Sequence, residues 1–208
     1  FIWHLRELGD AMLVGSGYGL FRWNGAQLQD VDAALQSLRS SFDLGDGRLL
    51  IGTGWGLFLD ARGGRGPVQR VALEGVDGRP VWSIQRWRDE IWVGTDRGLL
   101  RLDAQLQPRA RVAVGADENS LPGAVVWAQK FDAAGRLWLA TSGGLVVVPA
   151  EAGEPRFLRQ TALIEAGIRS VNSIEFDAAG SLWAGSPRGL LRYWPQTGAL
   201  DLLEARDG

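Results

Sequence analysis

Leu137-Trp138-Leu139-Ala140-Thr141-Ser142-Gly143-Gly144-Leu145 returns in recognisable variants along the whole chain, and its reading decides the fold. Four further copies occupy residues 12–20, 49–57, 91–99 and 182–190. In pattern form each runs apolar, Trp or Leu, apolar, Gly or Ala, Ser or Thr, two variable residues, Gly, Leu. The hydroxyl residues stand at 16, 53, 95, 141 and 186, at intervals of 37, 42, 46 and 45. A near-constant period with loop-sized variation marks an array of repeats.

Ahead of this phrase lies a weaker one at a nearly fixed distance: residues 81–85, 126–130 and 171–175, with residues 2–6 as the first copy. Only the second repeat lacks a clear version. Between the two phrases sit turns built on Asp and Gly, at 132–135 and 177–180. After the main phrase come short apolar runs at 99–102 and 190–193. Each repeat thus reads as β-rich runs joined by tight turns. Candidates for a fourth, outermost strand are 68–73, 109–114, 156–158 and 199–203. Short helical turns are expected at 30–38 and 161–166. The glycines at 19, 56, 98, 144 and 189 are expected to supply a positive φ.

Four short strands per period of about 40 to 45 residues is the arithmetic of a β-propeller blade. The expected fold is all-β: one propeller domain over residues 1–208, with five four-stranded blades at roughly 1–37, 38–79, 80–122, 123–168 and 169–208. A twisted four-stranded sheet cannot bury its faces alone, so blades must stack. Trp92, Trp138 and Trp183 are the candidates for the wedge between neighbours. Five copies fit either an arc of a larger ring or a closed five-bladed ring. The sequence favours the arc, because the chain starts on a first strand and ends near a fourth.

Composition narrows the function. The 29 glycines and 10 tryptophans of the 208 residues suit tight turns and large packed rings. A net charge of −2 with no basic run argues against nucleic acid. Without cysteine there is no disulfide framework, thiolate metal site or cysteine nucleophile. Apolar runs such as 144–150 fall short of the roughly 20 residues of a membrane-spanning helix. The chain shows no charged n-region followed by an apolar h-region, so no signal peptide is visible, and with Phe1 rather than Met first it reads as a piece of a longer protein.

The segments 117–123, 126–128 and 132–145 together resemble the two-component regulator propeller repeat. Residues 171–193 resemble it too, residues 81–99 match in part, and the second repeat departs most, with Leu50 where Trp is expected. The resemblance covers essentially the whole chain. It implies a seven-bladed ring of which this chain is an arc, in the periplasmic, extracytoplasmic sensor region of a membrane-anchored bacterial signal-transduction protein such as a hybrid histidine kinase or a diguanylate cyclase. It implies no catalytic residue, no metal and no cofactor. The partners it implies are an unknown ligand with carbohydrate as one class, the remaining blades, a signalling output module and a homodimer partner; the membrane is reached only through the parent chain.

No acid and base pair or nucleophile constellation stands out, and the chain reads as a non-enzyme. His4 has no histidine partner and reads as a packed or surface residue. Asp132 and Asp177 resemble the Asp-box turn of sialidase-like propellers without its spacing, and read as turn residues. Two groups are candidates for ligand binding. Trp3, Trp82 and Trp127 hold one equivalent position in three repeats, replaced by Asn172 in the fifth. Tyr18, Trp55, Arg97 and Arg188 fill the variable positions of the hairpin turns, which belong on one rim. The alternatives to a sensory role are a structural or protein-docking propeller and a polysaccharide-active propeller enzyme.

Overall fold

The computed structural model describes residues 1–63, 68–151 and 153–204. Five four-stranded sheets follow one another, each with its strands in chain order. The first comprises β1 (Ile2–Leu8), β2 (Ala11–Ser16), β3 (Leu20–Trp23) and β4 (Leu28–Asp32). The second comprises β5 (Leu38–Asp43), β6 (Leu49–Thr53), β7 (Gly56–Asp60) and β8 (Gln69–Val71). The third comprises β9 (Val81–Trp87), β10 (Glu90–Thr95), β11 (Gly98–Leu102) and β12 (Pro108–Val112). The fourth comprises β13 (Val126–Phe131), β14 (Leu137–Thr141), β15 (Gly144–Val148) and β16 (Leu158–Arg159). A short helix, α1 (Thr161–Glu165), leads to the fifth: β17 (Ser173–Phe176), β18 (Leu182–Ser186), β19 (Gly189–Tyr193) and β20 (Leu200–Leu203). These are the four-stranded meanders of a β-propeller, one per sequence repeat.

The chain divides into two compact units, Phe1–Ile84 and Gln85–Gly208. In the first, Leu13 and Leu20 share a buried cluster with Leu38, Leu49 and Ile51 of the second sheet. In the second unit the pattern repeats with larger side chains. Trp92 and Leu99 pack with Val126, Leu137 and Leu139, and Trp138 and Leu145 pack with Val171, Ile174 and Leu182. In these three copies the second residue of the main phrase, Leu13, Trp92 or Trp138, therefore faces the following sheet. Trp92 and Trp138 are fully buried there, a gross gain of about 4 to 6 kcal/mol per ring before entropy. The ring of Trp183 is partly exposed.

The hairpin between the second and third strands closes on the pairs Thr53↔Gly56, Thr95↔Gly98, Thr141↔Gly144 and Ser186↔Gly189. All five turn glycines have positive φ. At Gly98, with φ 103°, a Cβ would also overlap the Val112 carbonyl, so both conformation and space demand glycine. The small fourth residue of the phrase has a different cause. At Gly15 a Cβ would run into Leu38 of the following sheet, so a larger side chain would push the two sheets apart.

Two local expectations need correction. Residues 30–38 form no helix: β4 runs to Asp32, a turn at residues 33–34 follows with Leu35 N–H donating to Asp32 O at 3.2 Å, and a bend at Ser37 leads into β5. The Asp32 carboxylate accepts from Ala34 N–H at 3.0 Å, making a turn where helix capping was expected. The second repeat does possess a first strand, β5, disguised by Ser40 and Ser41, which are buried and face polar partners. The helical turn at 161–166 is present as α1, and the outer strands β8, β12, β16 and β20 lie within or beside their expected ranges, the shortest having two residues.

Candidate functional site

One end of each sheet is defined by the register. Ile2 pairs with Ser16, Leu38 with Thr53 and Val126 with Thr141. The start of the first strand and the hairpin after the second therefore share an edge. Both groups of expected ligand-binding residues lie along it.

The turns are built identically. The hydroxyls of Ser16, Thr53, Thr95, Thr141 and Ser186 donate to the carbonyls of Gly19, Gly56, Gly98, Gly144 and Gly189, at 2.8 to 3.3 Å. Each also accepts from the backbone N–H two residues on, at Tyr18, Trp55, Arg97, Gly143 and Arg188, at 3.0 to 3.2 Å. The hydroxyl residue thus fixes the backbone of the very residue that the turn presents to solvent. Tyr18 is 78% exposed and Trp55 60%, and Arg97 is also exposed. Arg188 is engaged differently: it donates to Ala166 O and pairs with Glu204, both at 2.7 Å. Its charge serves the scaffold.

At the inner strands, Trp3, Arg39 and Trp127 occupy the residue that the register skips in β1, β5 and β13. Such a bulge re-aims a side chain relative to its neighbours. Trp82 holds the corresponding place in β9. The side chain of Trp3 lies outside the described residues; Trp82 and Trp127 are partly buried. Arg39 was hidden in the sequence by the unclear second repeat, yet its guanidinium lies 4.1 Å from the centre of the Trp82 ring. Burial holds the Arg39 pKa below its usual value. Trp82 Nε1 is shielded from solvent and has no hydrogen-bond partner among the described residues. The aromatic and cationic groups brought together are therefore Trp82 and Arg39, a cation–π pair beside the exposed turn of Trp55.

The carboxylates have structural tasks. Trp92, Trp138 and Trp183 donate their indole N–H groups to Glu90, Asp132 and Asp177, at 3.0, 2.8 and 3.0 Å. An arginine lies over each ring: Arg101, Arg136 and Arg192, at 5.9, 5.4 and 5.1 Å from the centroid. Burial raises the Asp132 pKa, but the hydrogen bonds from Trp138 and Arg136 outweigh it and hold the carboxyl below its ordinary range. At Asp177 the Trp183 indole is the leading cause of a shift in the same direction. The turn aspartates are thus the anchors of a carboxylate, indole and guanidinium clasp, which the spacing of six residues from Asp to Trp could have revealed. His4 is packed, with Nε2 at 2.8 Å from Ser41 Oγ; burial and then the charge of Arg6 lower its pKa to about 4.

A separate cleft of about 610 Å³ lies along β12, walled by Arg111, Val114, Asp117, Asn119 and Glu154 with Phe157 at its base. None of the expected site residues lines it. Among the described residues there is no group of three His, Cys, Asp or Glu placed to hold a metal, and no helix long and apolar enough to cross a membrane.

No protein-family model matches the chain, and no curated protein does. Solved structures match in fold. The extracellular domain of the hybrid two-component system BT3049 of B. thetaiotaomicron aligns with a TM-score of 0.78 at 18% identity, over 100% of this chain and 28% of that one. The corresponding domain of BT4673 aligns with a TM-score of 0.73 at 20% identity, over 99% and 28%. A virginiamycin B lyase of Staphylococcus aureus aligns with a TM-score of 0.68 at 10% identity, over 98% and 69%. This chain therefore spans little more than a quarter of the length of these extracellular domains. Its repeat phrases and its backbone agree: the chain folds as consecutive four-stranded blades of a β-propeller, similar in fold to these extracellular domains.

Proposed function

We propose that this chain is a ligand-recognising part of an extracytoplasmic sensory propeller, within a membrane-anchored signal-transduction protein whose output module lies elsewhere in the parent chain. The observation that carries this reading is the equivalent edge within each sheet. There, hydroxyl-locked turns hold Tyr18, Trp55 and Arg97 out to solvent at one equivalent position. A rigid frame with variable, exposed aromatic and guanidinium groups suits recognition. The resemblance in phrase and the fold shared with extracellular domains of two-component systems support the sensory setting.

Recognition here proceeds without bond chemistry. Glu90, Asp132 and Asp177 are committed to indole and guanidinium partners, an arrangement that suits structural anchors better than an acid and base pair. Titration with a panel of neutral and acidic oligosaccharides, followed by tryptophan fluorescence, tests the proposal. At least one should quench saturably, and Trp55→Ala should weaken that response by about tenfold or more. A panel without any saturable response, or a response indifferent to Trp55→Ala and Trp82→Ala alike, overturns it.

A further inference from the structure

Beside the hairpin turn of residues 53–56, Arg39 brings three kinds of hydrogen-bond donor together. It is the charged member of a series whose other copies are Trp3, Trp82, Trp127 and Asn172. Its guanidinium leans on the face of the Trp82 ring, and stacking of this kind keeps the N–H groups of a guanidinium in the plane, directed outward from its edge. Trp82 Nε1 is closed to solvent and has no acceptor among the described residues, which costs free energy until an acceptor arrives. The Ser37 hydroxyl is the third donor. Ser37 has a left-handed backbone, φ 57°, and its carbonyl accepts from Gly54 N–H at 2.9 Å. A Cβ on Gly54 would stand 3.8 Å from both Ser37 Oγ and Arg39 Nε, so glycine keeps these two groups side by side with no side chain of the turn between them. Trp55, exposed, follows directly. Asp77, beside the same turn, is taken up by Arg70 at 3.5 Å, and Arg70 also donates to Trp55 O at 3.1 Å. The charges of Arg39, Arg70 and Asp77 sum to one positive.

We infer that this corner holds the oxyanion of an acidic ligand, a carboxylate or a sulfate or phosphate ester, received by the Arg39 guanidinium, the Trp82 N–H and the Ser37 hydroxyl, with Trp55 beside it for the remainder of the ligand. The inference rests on reading this edge as a recognition surface, and it gives that surface its ligand class. A neutral ligand brings hydroxyls that donate as well as accept. An oxyanion brings acceptors alone, which is what three donors require, and charge-assisted bonds are the stronger kind. An anion that draws the guanidinium along the ring reaches the shielded N–H and supplies the acceptor it lacks.

The indole N–H resonances of the 208-residue chain test this, followed by heteronuclear NMR through titrations with sodium acetate, sulfate and phosphate against sodium chloride at equal ionic strength. The Trp82 signal, assigned by its loss in Trp82→Phe, should shift saturably with at least one of the three. Acetate against the other two separates a carboxylate from a sulfate or phosphate ester. Arg39→Met should weaken this binding by about tenfold or more, and Arg39→Lys should retain part of it. Trp82→Phe keeps an aromatic face under Arg39 and removes only the N–H, so its affinity, read at the Trp55 indole, should fall several-fold. The Trp138 and Trp183 signals should stay in place throughout, which checks the fold; if Arg39→Met unfolds the chain, Arg39→Lys and Trp82→Phe carry the test. No saturable shift with any of the three anions, or a shift that survives Arg39→Met at full affinity, overturns the inference. A neutral oligosaccharide that quenches through Trp55 while the Trp82 signal ignores all three anions overturns this inference alone and leaves the recognition reading standing. A silent oligosaccharide panel together with a silent Trp82 overturns both.

Discussion

The fourth and fifth sheets carry nearly the same phrase and the same clasp, yet they differ in what lies against them. Trp138 donates to Asp132 under Arg136, and Trp183 donates to Asp177 under Arg192. The polar geometry is equivalent in the two. The burial is not: Trp138 and Leu145 are sealed, while Trp183 is partly exposed and Leu190 nearly half so. The clasp is therefore written within a single repeat, by an Asp placed six residues before a Trp. The apolar contribution of the same Trp is conferred by the neighbouring sheet. Repeat stability in such arrays separates into an intrinsic part and a nearest-neighbour part, and these two sheets display the division on one side chain.

Substituting the two tryptophans gives the largest expected contrast. Trp138→Ala should cost about 3 to 5 kcal/mol, because a sealed ring leaves a cavity lined by Ile174, Leu182 and Tyr193. Trp183→Ala should cost about 1 to 2 kcal/mol, since much less area returns to water. Urea denaturation followed by dichroism reads both. Equal losses would mean that the ring's value lies in its hydrogen bond rather than in the neighbouring sheet.

Acid sharpens the other half of the comparison. Folding lowers the pKa of Asp132, so its ionised form is favoured in the folded state. The stability it contributes is fully present above the unfolded value of about 3.9 and is lost as pH falls through the lower folded value. The thermal midpoint should therefore decline below about pH 4, and Asp132→Asn should flatten that decline while lowering the midpoint at neutral pH. Asp177 shifts in the same direction, and its side chain is 28% exposed against 7% for Asp132. Asp177→Asn should change the acid slope less. An acid slope untouched by Asp132→Asn would remove the clasp as its origin.

Period and phrase were enough to read the five-sheet architecture, because the hydroxyl, the positive-φ glycine and the sheet-facing apolar residue each leave a mark at a fixed place. What escaped were features whose signal is not periodic. β5 was concealed because Ser40 and Ser41 are buried beside polar partners, Val81 O and His4, rather than in an apolar contact. Arg39, the partner of the Trp82 ring, was hidden with it. The stretch 30–38 has helix-like spacing, but Leu35 and Leu38 are both drawn into the cluster between the first two sheets, and that contact outweighs local propensity. Arg188 looked like its equivalents Tyr18 and Trp55, and only the approach of Glu204 and the Ala166 carbonyl shows it to be engaged. Residue type and turn position fix where a side chain emerges; its occupation depends on chain segments far away in sequence.

The smallest expected effect concerns the turn hydroxyls, and it follows the same division. Thr141 is wholly buried, so Thr141→Val takes from Gly143 N–H and Gly144 C=O their hydrogen bonds to the hydroxyl. That should cost about 1 to 2 kcal/mol. Ser186 makes the same two bonds at the partly exposed end of the fifth sheet, where water can replace the hydroxyl. Ser186→Ala should cost only about 0.5 kcal/mol. Its clearer consequence is dynamic: amide exchange at Arg188 should quicken several-fold while exchange at Leu191 in the same hairpin stays slow, because the turn loosens without loss of the strand pairing. If both amides quicken together, the hydroxyl holds the whole hairpin, and the distinction between a locally written turn and a neighbour-dependent sheet fails at this site.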